Sequence, residues 1–261
     1  MAIKLIADPH GYFKGLVGEV RENDTLLVLG DVLDLIDWAD LSGILPEVLG
    51  KENLVERIFS AFAAGPEAAM AMREELLSLQ GEYFQELLRR INDDYRRFTK
   101  VLREIGCRTY IIYGNSDMPE ILESSLDGLH KSTLVEGRVE LEGETFGFVP
   151  GPLYSPFKMP REIDDEEFGS RLEELGRVDV LCTHIPPRWD AALFDVVAER
   201  PVEGSEKLLE YIEREKPALV YHGHVHHPAQ RAVRIGDTKV VNVAYYKRDK
   251  HVYRHGNEDE F

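Results

Sequence analysis

Short apolar runs recur along the chain, each bounded by glycine or by polar residues. Runs of four or five residues rich in β-branched, aromatic and leucine side chains predict buried β-strands. Five such runs lie at residues 3–7, 25–29, 109–113, 178–182 and 218–221. A carboxylate, an amide or an imidazole follows each run within two residues. Because ligands gather beyond the carboxyl ends of strands in open α/β sheets, we expect these polar side chains to meet in one place.

A long helical segment is predicted between the second and third strands, from about residue 40 to residue 105. Glycine and proline are sparse there after Pro66, and apolar residues recur at spacings of three and four. The recurring residues are Phe84, Leu88, Ile91, Tyr95, Phe98, Leu102 and Ile105. This stripe predicts a buried helix face that is long enough to pair with another helix, including one from a second copy in a homo-oligomer.

Shorter elements are predicted in the rest of the chain. Residues 132–149 alternate around two Glu-Gly pairs, a pattern that predicts short antiparallel strands with tight turns. Helices are predicted near residues 165–175 and 204–215, and residues 229–253 predict two or three further strands. No internal repeat or linker divides the chain. We therefore expect one α/β domain over residues 1–261, with the helical segment as an insert.

Composition and charge exclude several classes of protein. Apolar residues make up 43% of the chain, enough to fill a core, and the net charge of −17 disfavours general binding of nucleic acids or anionic lipid. No apolar stretch approaches the roughly 18–20 residues of a membrane span, and the first residues lack the pattern of a secretory leader. Cys107 and Cys182 adjoin apolar runs, which predicts buried thiols. We expect a soluble, cytoplasmic protein.

Residue types that bind metals lie at the ends of the predicted strands. Asp8 and His10 are two residues apart, and in a continued strand such residues lie on the same side and can face one cation. His224 and His226 have the same spacing. Taken alone, the first pair is more typical of a polar turn, whereas a solvated histidine cluster is the alternative for the second pair. The other candidates at strand ends are Asp31, Asn115 and His184.

Taken together, these residues predict a centre for two divalent cations. Three carboxylate or amide groups and four imidazoles supply enough ligands for two ions if one carboxylate bridges them. Imidazole suits Zn, Mn, Fe, Co or Ni. Two adjacent cations clamp the attacking and leaving oxygens of a displacement at phosphorus, and they lower the pKa of shared water so that a bridging hydroxide can attack. The chain has neither a Walker-type phosphate loop nor a Gly-x-Ser-x-Gly elbow.

Five short motifs occur in a recognisable order along the chain. They are Asp8-x-His10, Gly30-Asp31-x-x-Asp34, Gly114-Asn115-x-Asp117, Thr183-His184 and Gly223-His224-x-His226. In type and order they resemble the motifs of the calcineurin-like binuclear metallophosphoesterases. The resemblance implies a four-layer α/β/β/α sandwich of two mixed sheets that binds two divalent metal ions. It implies a first metal held by Asp8, His10, Asp31 and His226, with Asp31 bridging to a second metal held by Asn115, His184 and His224.

The third motif departs from the family pattern at Ser116. The family has a histidine there, which helps to protonate the leaving oxygen or binds phosphate. A serine hydroxyl cannot act as an acid near pH 7 as imidazole can. The variant resembles a branch of small bacterial and archaeal phosphodiesterases with Cys or Ser at this position, which suits diesters with good leaving groups.

Other residues near the motifs carry weaker expectations. By family role, four residues serve catalysis, namely Asp31, Asn115, Asp34 and Asp117. Asn115 also contacts substrate, and Asp34 acts as an outer group that orients ligands. A structural salt bridge is the alternative for Asp34. Asp117 is expected to position its loop or to contact a metal-bound water, and an ordinary turn carboxylate is the alternative. Arg188 is a weak candidate for binding a substrate phosphate, against the alternative of a surface arginine.

The leading hypothesis is a two-metal hydrolase of phosphoester bonds that acts on small phosphodiesters. The alternative is a protein-binding scaffold that keeps the fold with little or no catalysis. Ser116 and the apolar helix stripe favour the scaffold, whereas the complete ligand set argues against it. A nuclease of the same superfamily is a third option, weakened by the net charge of −17 and by the lack of a basic, aromatic-lined surface.

Overall fold

Strands and helices alternate along the chain in this computed structural model. The structure describes residues 1–37, 42–50, 57–58, 60–61, 63–78, 81–155, 158–159 and 161–257. The strands are β1 (Ile3–Ile6), β2 (Thr25–Leu29), β3 (Arg108–Ile112), β4 (Ser132–Leu134), β5 (Gly137–Leu141), β6 (Glu144–Val149), β7 (Val180–Thr183), β8 (Phe194–Asp195), β9 (Arg200–Pro201), β10 (Leu219–His222), β11 (Ala232–Ile235), β12 (Thr238–Asn242) and β13 (Tyr253–Arg254). The helices are α1 (Leu16–Glu19), α2 (Ile44–Leu49), α3 (Pro66–Leu77), α4 (Glu82–Ile105), α5 (Pro119–Ser125), α6 (Asp165–Leu175), α7 (Asp190–Leu193), α8 (Glu206–Glu215) and α9 (Tyr246–Asp249). The five strands expected to end at polar residues are confirmed as β1, β2, β3, β7 and β10.

Two mixed sheets form the centre of the fold. The first has the strand order β13-β1-β2-β3-β4, and the second has the order β11-β12-β10-β7-β6-β5. In the first sheet β1 to β4 are parallel and β13 is antiparallel to β1. In the second sheet β12, β10, β7 and β6 are parallel, with β11 and β5 as antiparallel edges. A separate two-stranded hairpin pairs β8 with β9.

One part of the strand prediction is wrong. Residues 132–149 were expected to form antiparallel strands throughout, but β4 pairs with β3 in parallel. The reason is the connection, because α5 lies between these strands and carries the chain back in a crossover. The remaining strands, β5 and β6, form the expected antiparallel pair around the turn at Glu142 and Gly143.

Alternating side chains divide the core into layers. In β2, Leu27 and Leu29 face the second sheet, whereas Leu26 and Val28 face the helices outside the first sheet. Phe146, Phe148 and Tyr221 cover the inner face from the second sheet. The outer face of that sheet packs against α6 and α8. Because α4 covers the first sheet in the same way, the order of layers is α/β/β/α, and the predicted fold is confirmed.

The predicted helical insert divides into two structural parts. Ile91, Tyr95 and Phe98 of α4 pack on the first sheet, so this half of the helix belongs to the outer layer of the sandwich. The expected stripe is not buried along its whole length, because Phe84 in the first turn of α4 is 37% exposed. Ile58 and Met72 belong to a separate small apolar cluster. Residues 40–41, 51–56, 59, 62 and 79–80 of the predicted insert lie outside the described residues.

Capping residues start the two helices of the second outer layer. The Asp164 side chain accepts a hydrogen bond from the Glu167 backbone N–H at the start of α6, and Ser205 accepts one from Leu208 at the start of α8. Both bonds satisfy N–H groups that a helix leaves without intrahelical partners, and they explain where these helices begin. Among the described residues, no helix combines the length and hydrophobicity needed to cross a membrane.

Candidate metal centre

Four metal-ligand side chains converge beyond the ends of β1, β2 and β10. One ligand-type atom from each of Asp8, His10, Asp31 and His226 lies within 4.8 Å of the others. Nε2 of His10 is 3.5 Å from Oδ2 of Asp31 and 3.2 Å from Nε2 of His226. Nε2 of His226 lies 3.6 Å from Oδ1 of Asp8. The structure therefore brings together the residues expected to hold the first metal.

A second group of side chains that can bind a metal lies on the other side of Asp31. Oδ1 of Asn115 is 3.0 Å from Nε2 of His184 and 2.8 Å from Nδ1 of His224. Nε2 of His184 is also 3.6 Å from Oδ1 of Asp31. One oxygen of Asp31 thus faces His10 and the other faces His184, which is the arrangement that a bridging carboxylate requires.

Backbone carbonyls fix the tautomers of two imidazoles. Nδ1 of His10 lies 3.1 Å from the carbonyl oxygen of Leu33, and Nδ1 of His184 lies 2.9 Å from that of Leu29. Because a carbonyl oxygen only accepts, both Nδ1 atoms donate. In its neutral form each ring then presents the lone pair of Nε2 to the centre, which is the usual way in which a ligating histidine is oriented.

The charge of the centre fits divalent cations. Asp8 and Asp31 are at most 2% exposed, and in the described part of the chain neither carboxylate pairs with a lysine or an arginine. Burying an ionised carboxylate without an opposite charge is costly. The two carboxylates, the imidazole lone pairs and the Asn115 oxygen match the oxygen and nitrogen donors that Mn, Fe, Co, Ni and Zn accept.

The pKa values of Asp8, His10 and His224 favour the protonation states that metal ligands need. Burial raises the pKa of Asp8, but the hydrogen bond from His226 and the nearby His184 outweigh it and lower the pKa to about 2. Burial lowers the pKa of His224 to about 3, and it also lowers the pKa of His10. Both rings are therefore neutral. Burial also lowers the pKa of His184 and His226, but Asp31 and Asp8 more than offset it and raise both values.

Four of these residues have left-handed backbone conformations. The φ angles are 55° at Asp8, 35° at His10, 52° at Asp31 and 70° at His224. Such angles cost a residue other than glycine roughly 1–3 kcal/mol and are concentrated at functional sites. The expectation that Asp8 and His10 share one side of a continued strand is wrong, because β1 ends at Ile6 and a turn aims both side chains. His224 and His226 likewise face different groups of ligands.

Two motif glycines leave room for the ligands. A Cβ on Gly114 would overlap Oδ1 of Asp31, and it would lie 2.6 Å from Cε1 of His184. A Cβ on Gly30 would lie 2.5 Å from Nδ1 of His184, and Gly30 also has a φ of +93°. A side chain at either position would push a ligand away from the centre, which explains the glycines that follow β2 and β3.

Ser116 and Asp117 stabilise the centre from the third motif. The Ser116 backbone N–H donates to Oδ1 of Asp31 at 2.8 Å, and its hydroxyl donates to Oδ2 at 3.1 Å. Asp117 accepts hydrogen bonds from the backbone N–H groups of Gly114 and Leu33. Burial and the nearby Asp31 raise the pKa of Asp117 to about 6. Ser116 therefore holds the central carboxylate, and Asp117 holds the loop that carries Asn115.

Two of the sequence-predicted residues are not brought to the cluster. Oδ1 of Asp34 pairs with Nζ of Lys247 at 2.9 Å, as the salt-bridge alternative expected. The exposed guanidinium of Arg188 pairs with Glu206 at 2.7 Å, and Arg188 does not line the cavity beside the ligands. This position fits the surface-arginine alternative, because the loop directs the side chain towards Glu206 at the N-terminus of α8.

Sequence reasoning missed two residues that support the ligands. The Tyr245 ring stacks on His226 with centroids 4.1 Å apart and planes at 5°, and its hydroxyl donates to Oδ2 of Asp37 at 2.6 Å. The amide of Asn242 donates to the carbonyl of Val225, between His224 and His226. The strand β12 also ends at a polar residue, Asn242, but only Val240 and Val241 precede it as apolar residues, so its signal in the sequence is weak.

A cavity of about 480 Å³ opens beside the two ligand groups. His10, Asp31, Asn115, His224 and His226 line its floor. The hairpin of β8 and β9 and the residues after it line one wall. The volume falls within the range of about 300–1,000 Å³ that is typical of small-molecule sites.

Comparisons with known proteins agree with this architecture. The family model for calcineurin-like phosphoesterases matches residues 1–228, a range that contains all seven ligand-type residues. One crystal structure matches with a TM-score of 0.56 at 18% identity, over 92% of this chain and 89% of the other. The crystal structure of TT1561 of Thermus thermophilus matches with a TM-score of 0.55 at 12% identity, over 97% and 96%. At these identities the two structures show the fold alone, and no curated protein sequence matches significantly.

Proposed function

The chain belongs to the calcineurin-like phosphoesterase family, and from this premise we propose that it hydrolyses small organic phosphodiesters at the candidate metal centre. The family uses divalent metals and hydrolyses phosphoester bonds. The observation that carries the proposal is the position of Asp31, whose two carboxylate oxygens face two separate groups of ligand-type side chains.

We assign the ligands according to these two groups. Asp8, His10 and His226 hold one divalent cation, and Asn115, His184 and His224 hold the other. Asp31 is shared by both. When bound, such a pair of cations polarises the phosphoryl group and lowers the pKa of water at the site towards neutrality. Mn, Fe, Co, Ni and Zn all suit this set of donors.

The protein's own groups keep the centre ready for the reaction. The hydrogen bonds of Ser116 hold both oxygens of Asp31, so the shared carboxylate cannot rotate. The carbonyls of Leu33 and Leu29 keep the lone pairs of His10 and His184 directed inwards. Preorganised groups of this kind avoid the cost of rearrangement during the reaction.

A phosphodiester suits the site better than a phosphomonoester. Ser116 stands where the family has an imidazole, so the third motif supplies no acid for a poor leaving group near pH 7. The cavity is also lined by the carboxylates of Asp37, Asp195 and Glu203. These carboxylates repel a dianionic monoester more than a monoanionic diester. The same position is Cys or Ser in the phosphodiesterase branch that the chain resembles.

Hydrolysis of two aryl esters tests the proposal. Protein stripped of metal and reloaded with Mn²⁺ or Ni²⁺ is assayed on bis(4-nitrophenyl) phosphate and on 4-nitrophenyl phosphate. We expect metal-dependent turnover with the higher kcat/KM on the diester. Asp31→Asn should lower kcat/KM by at least about 100-fold, since loss of an outer group alone costs 10–100-fold. Asp127→Asn, which changes an exposed carboxylate, is the matched control.

Three other outcomes contradict the proposal. A higher kcat/KM on the monoester would refute the preference for diesters. Salt-sensitive cleavage of single-stranded DNA, without cleavage of small diesters, would favour a nuclease. Loaded protein that is inert on cyclic nucleotides, dinucleotides, aryl diesters and monoesters would favour a non-catalytic scaffold.

A further inference from the structure

The hairpin of β8 and β9 forms a wall of the cavity and is attached to the metal-binding loop. Oδ1 of Asp195 accepts hydrogen bonds from the N–H groups of Val197 and Ala198, both at 2.9 Å. Oδ2 of Asp195 accepts one from the N–H of His227 at 3.0 Å. The N–H of Val196 also donates to the carbonyl of His227. His227 directly follows His226, so these bonds fix the hairpin relative to the ligands.

Arg200 is the cation on this wall. Its backbone lies opposite that of Asp195 in the β8–β9 register, and it is the one lysine or arginine among the described residues that line the cavity. None of the ion pairs or side-chain hydrogen bonds found among the described residues involves Arg200. Its guanidinium has five N–H donors in a planar fork that matches phosphate oxygens. An arginine without a side-chain partner among the described residues, in a cavity beside the candidate metal centre, is therefore suited to an anionic ligand.

Apolar side chains surround Arg200 on the same wall. Val197, Ala198, Pro201 and Val202 line the cavity, and Ile36 lines it from outside the hairpin. Val197 is 56% exposed although it is apolar. Exposed apolar side chains beside polar groups in a concave site are typical of surfaces that bind organic ligands. The wall thus combines one cation with a surface for an apolar group.

We propose that this hairpin is the substrate-recognition element. Arg200 binds a non-bridging phosphate oxygen, and Val197, Pro201 and Val202 contact an apolar or aromatic substituent of the same diester. The substrate class is a monoanionic phosphodiester with at least one such substituent. This inference rests on the proposed function and adds to it the residues that select the substrate.

Kinetics of hairpin variants test the inference. Arg200→Ala should lower kcat/KM on bis(4-nitrophenyl) phosphate by about 10-fold or more, mainly through KM, because it removes a charge-assisted hydrogen bond. Arg200→Lys should recover part of the loss, since it keeps the charge without the fork. Arg177→Ala removes an exposed arginine outside the cavity and should change nothing.

A second comparison tests the apolar contact. Wild-type protein should prefer bis(4-nitrophenyl) phosphate over methyl 4-nitrophenyl phosphate, which has the same leaving group but lacks the second ring. Val197→Ser should reduce this ratio of kcat/KM values by about threefold or more, as expected when an apolar contact of one or two carbons is lost. Ala191→Ser, outside the cavity, is the control.

The outcomes separate this inference from the proposed function. Wild-type turnover that Arg200→Ala leaves unchanged overturns the role of the hairpin and leaves the phosphodiesterase intact. Wild-type protein that shows no turnover overturns the proposed phosphodiesterase function. In that case the role of the hairpin is tested by calorimetry, which compares the binding of diphenyl phosphate by wild-type protein and by Arg200→Ala. Weaker binding by Arg200→Ala supports the anion-binding role, and equal binding overturns it.

Discussion

Gly114→Ala is the substitution that tests the geometry of the centre most severely. The added Cβ would overlap Oδ1 of Asp31, and it would lie 2.6 Å from Cε1 and 2.7 Å from Nε2 of His184. Gly114 does not have a left-handed backbone, so alanine introduces no conformational strain and the effect is steric. Real Cβ atoms essentially never approach other atoms so closely, so at least one of the two ligands must move.

The expected losses of stability and metal affinity in Gly114→Ala follow from the displacement of Asp31 or His184. Overpacking a buried position costs about 1–3 kcal/mol of folding stability. Metal affinity should fall by more than the 10–100-fold that is typical when only an outer group is lost, because here two proposed ligands are displaced. Gly18→Ala is the matched control. Gly18 lies in α1 with no atom within 4 Å of the added Cβ, so alanine should be neutral or stabilise the protein by up to about 1 kcal/mol.

Calorimetric titration of Mn²⁺ and urea unfolding measure the two quantities. We expect Gly114→Ala to remain folded, to lose measurable Mn²⁺ binding at the centre that contains Asp31, and to lose the proposed hydrolysis of phosphodiesters in parallel. Unchanged Mn²⁺ affinity and activity in Gly114→Ala would refute the reasoning, since Asp31 and His184 cannot keep their positions beside that methyl group.

Three further substitutions test the surroundings of the centre. Tyr245→Phe keeps the ring on His226 but removes the hydrogen bond to Asp37, whereas Tyr245→Ala removes both. We expect Tyr245→Ala to lower Mn²⁺ affinity by about 10–100-fold and Tyr245→Phe to lower it less. Equal losses would contradict a role for the stacked ring. Ser116→His should shift the ratio of kcat/KM values towards monoesters with poor leaving groups and away from aryl diesters, because imidazole can donate a proton near neutral pH. Ser116→Ala loses the same hydroxyl bond to Asp31 and is the control; an equal ratio in the two variants would count against proton delivery as the missing step. Burial raises the pKa of Asp195, but hydrogen bonds from the backbone N–H groups of Ala198, His227 and Val197 outweigh it and lower the pKa below its ordinary value of 3.8. The ionised form therefore stabilises the folded state above that pH, and the contribution is lost as pH falls through the folded pKa. Asp195→Asn should reduce the free energy of unfolding at pH 7 and have progressively less effect below pH 3.8, and a loss that does not depend on pH would contradict this linkage.

The strand ends could be predicted from sequence because one rule covers them. Buried runs that end at a polar residue placed Asp8, Asp31 and Asn115 at one edge of the first sheet, and the same rule placed His184 and His224 at the edge of the second. The local turn geometry could not be predicted in this way. Asp8 and His10 have left-handed φ angles, and their backbone N–H groups donate to the carbonyls of Gly30 and Asp31, respectively, which are distant in sequence.

The roles of the residues around the ligands could not be predicted from sequence for a related reason. Asp34 and Arg188 belong to motifs or lie beside them, but their roles depend on which partner is nearest. Lys247 reaches Asp34 from a part of the chain 213 residues away, and Glu206 reaches Arg188 from α8. Tyr245 lies outside every motif, and only the packing of β12 beside β10 brings it onto His226. Spacing reports which residues can be ligands, whereas tertiary contacts decide which residues orient them.

Anomalous diffraction from crystals soaked in Mn²⁺ tests the central claim most directly. The account predicts two neighbouring peaks, one among Asp8, His10 and His226 and the other among Asn115, His184 and His224, with Asp31 in contact with both. A single peak, or two peaks that do not share Asp31, would contradict it.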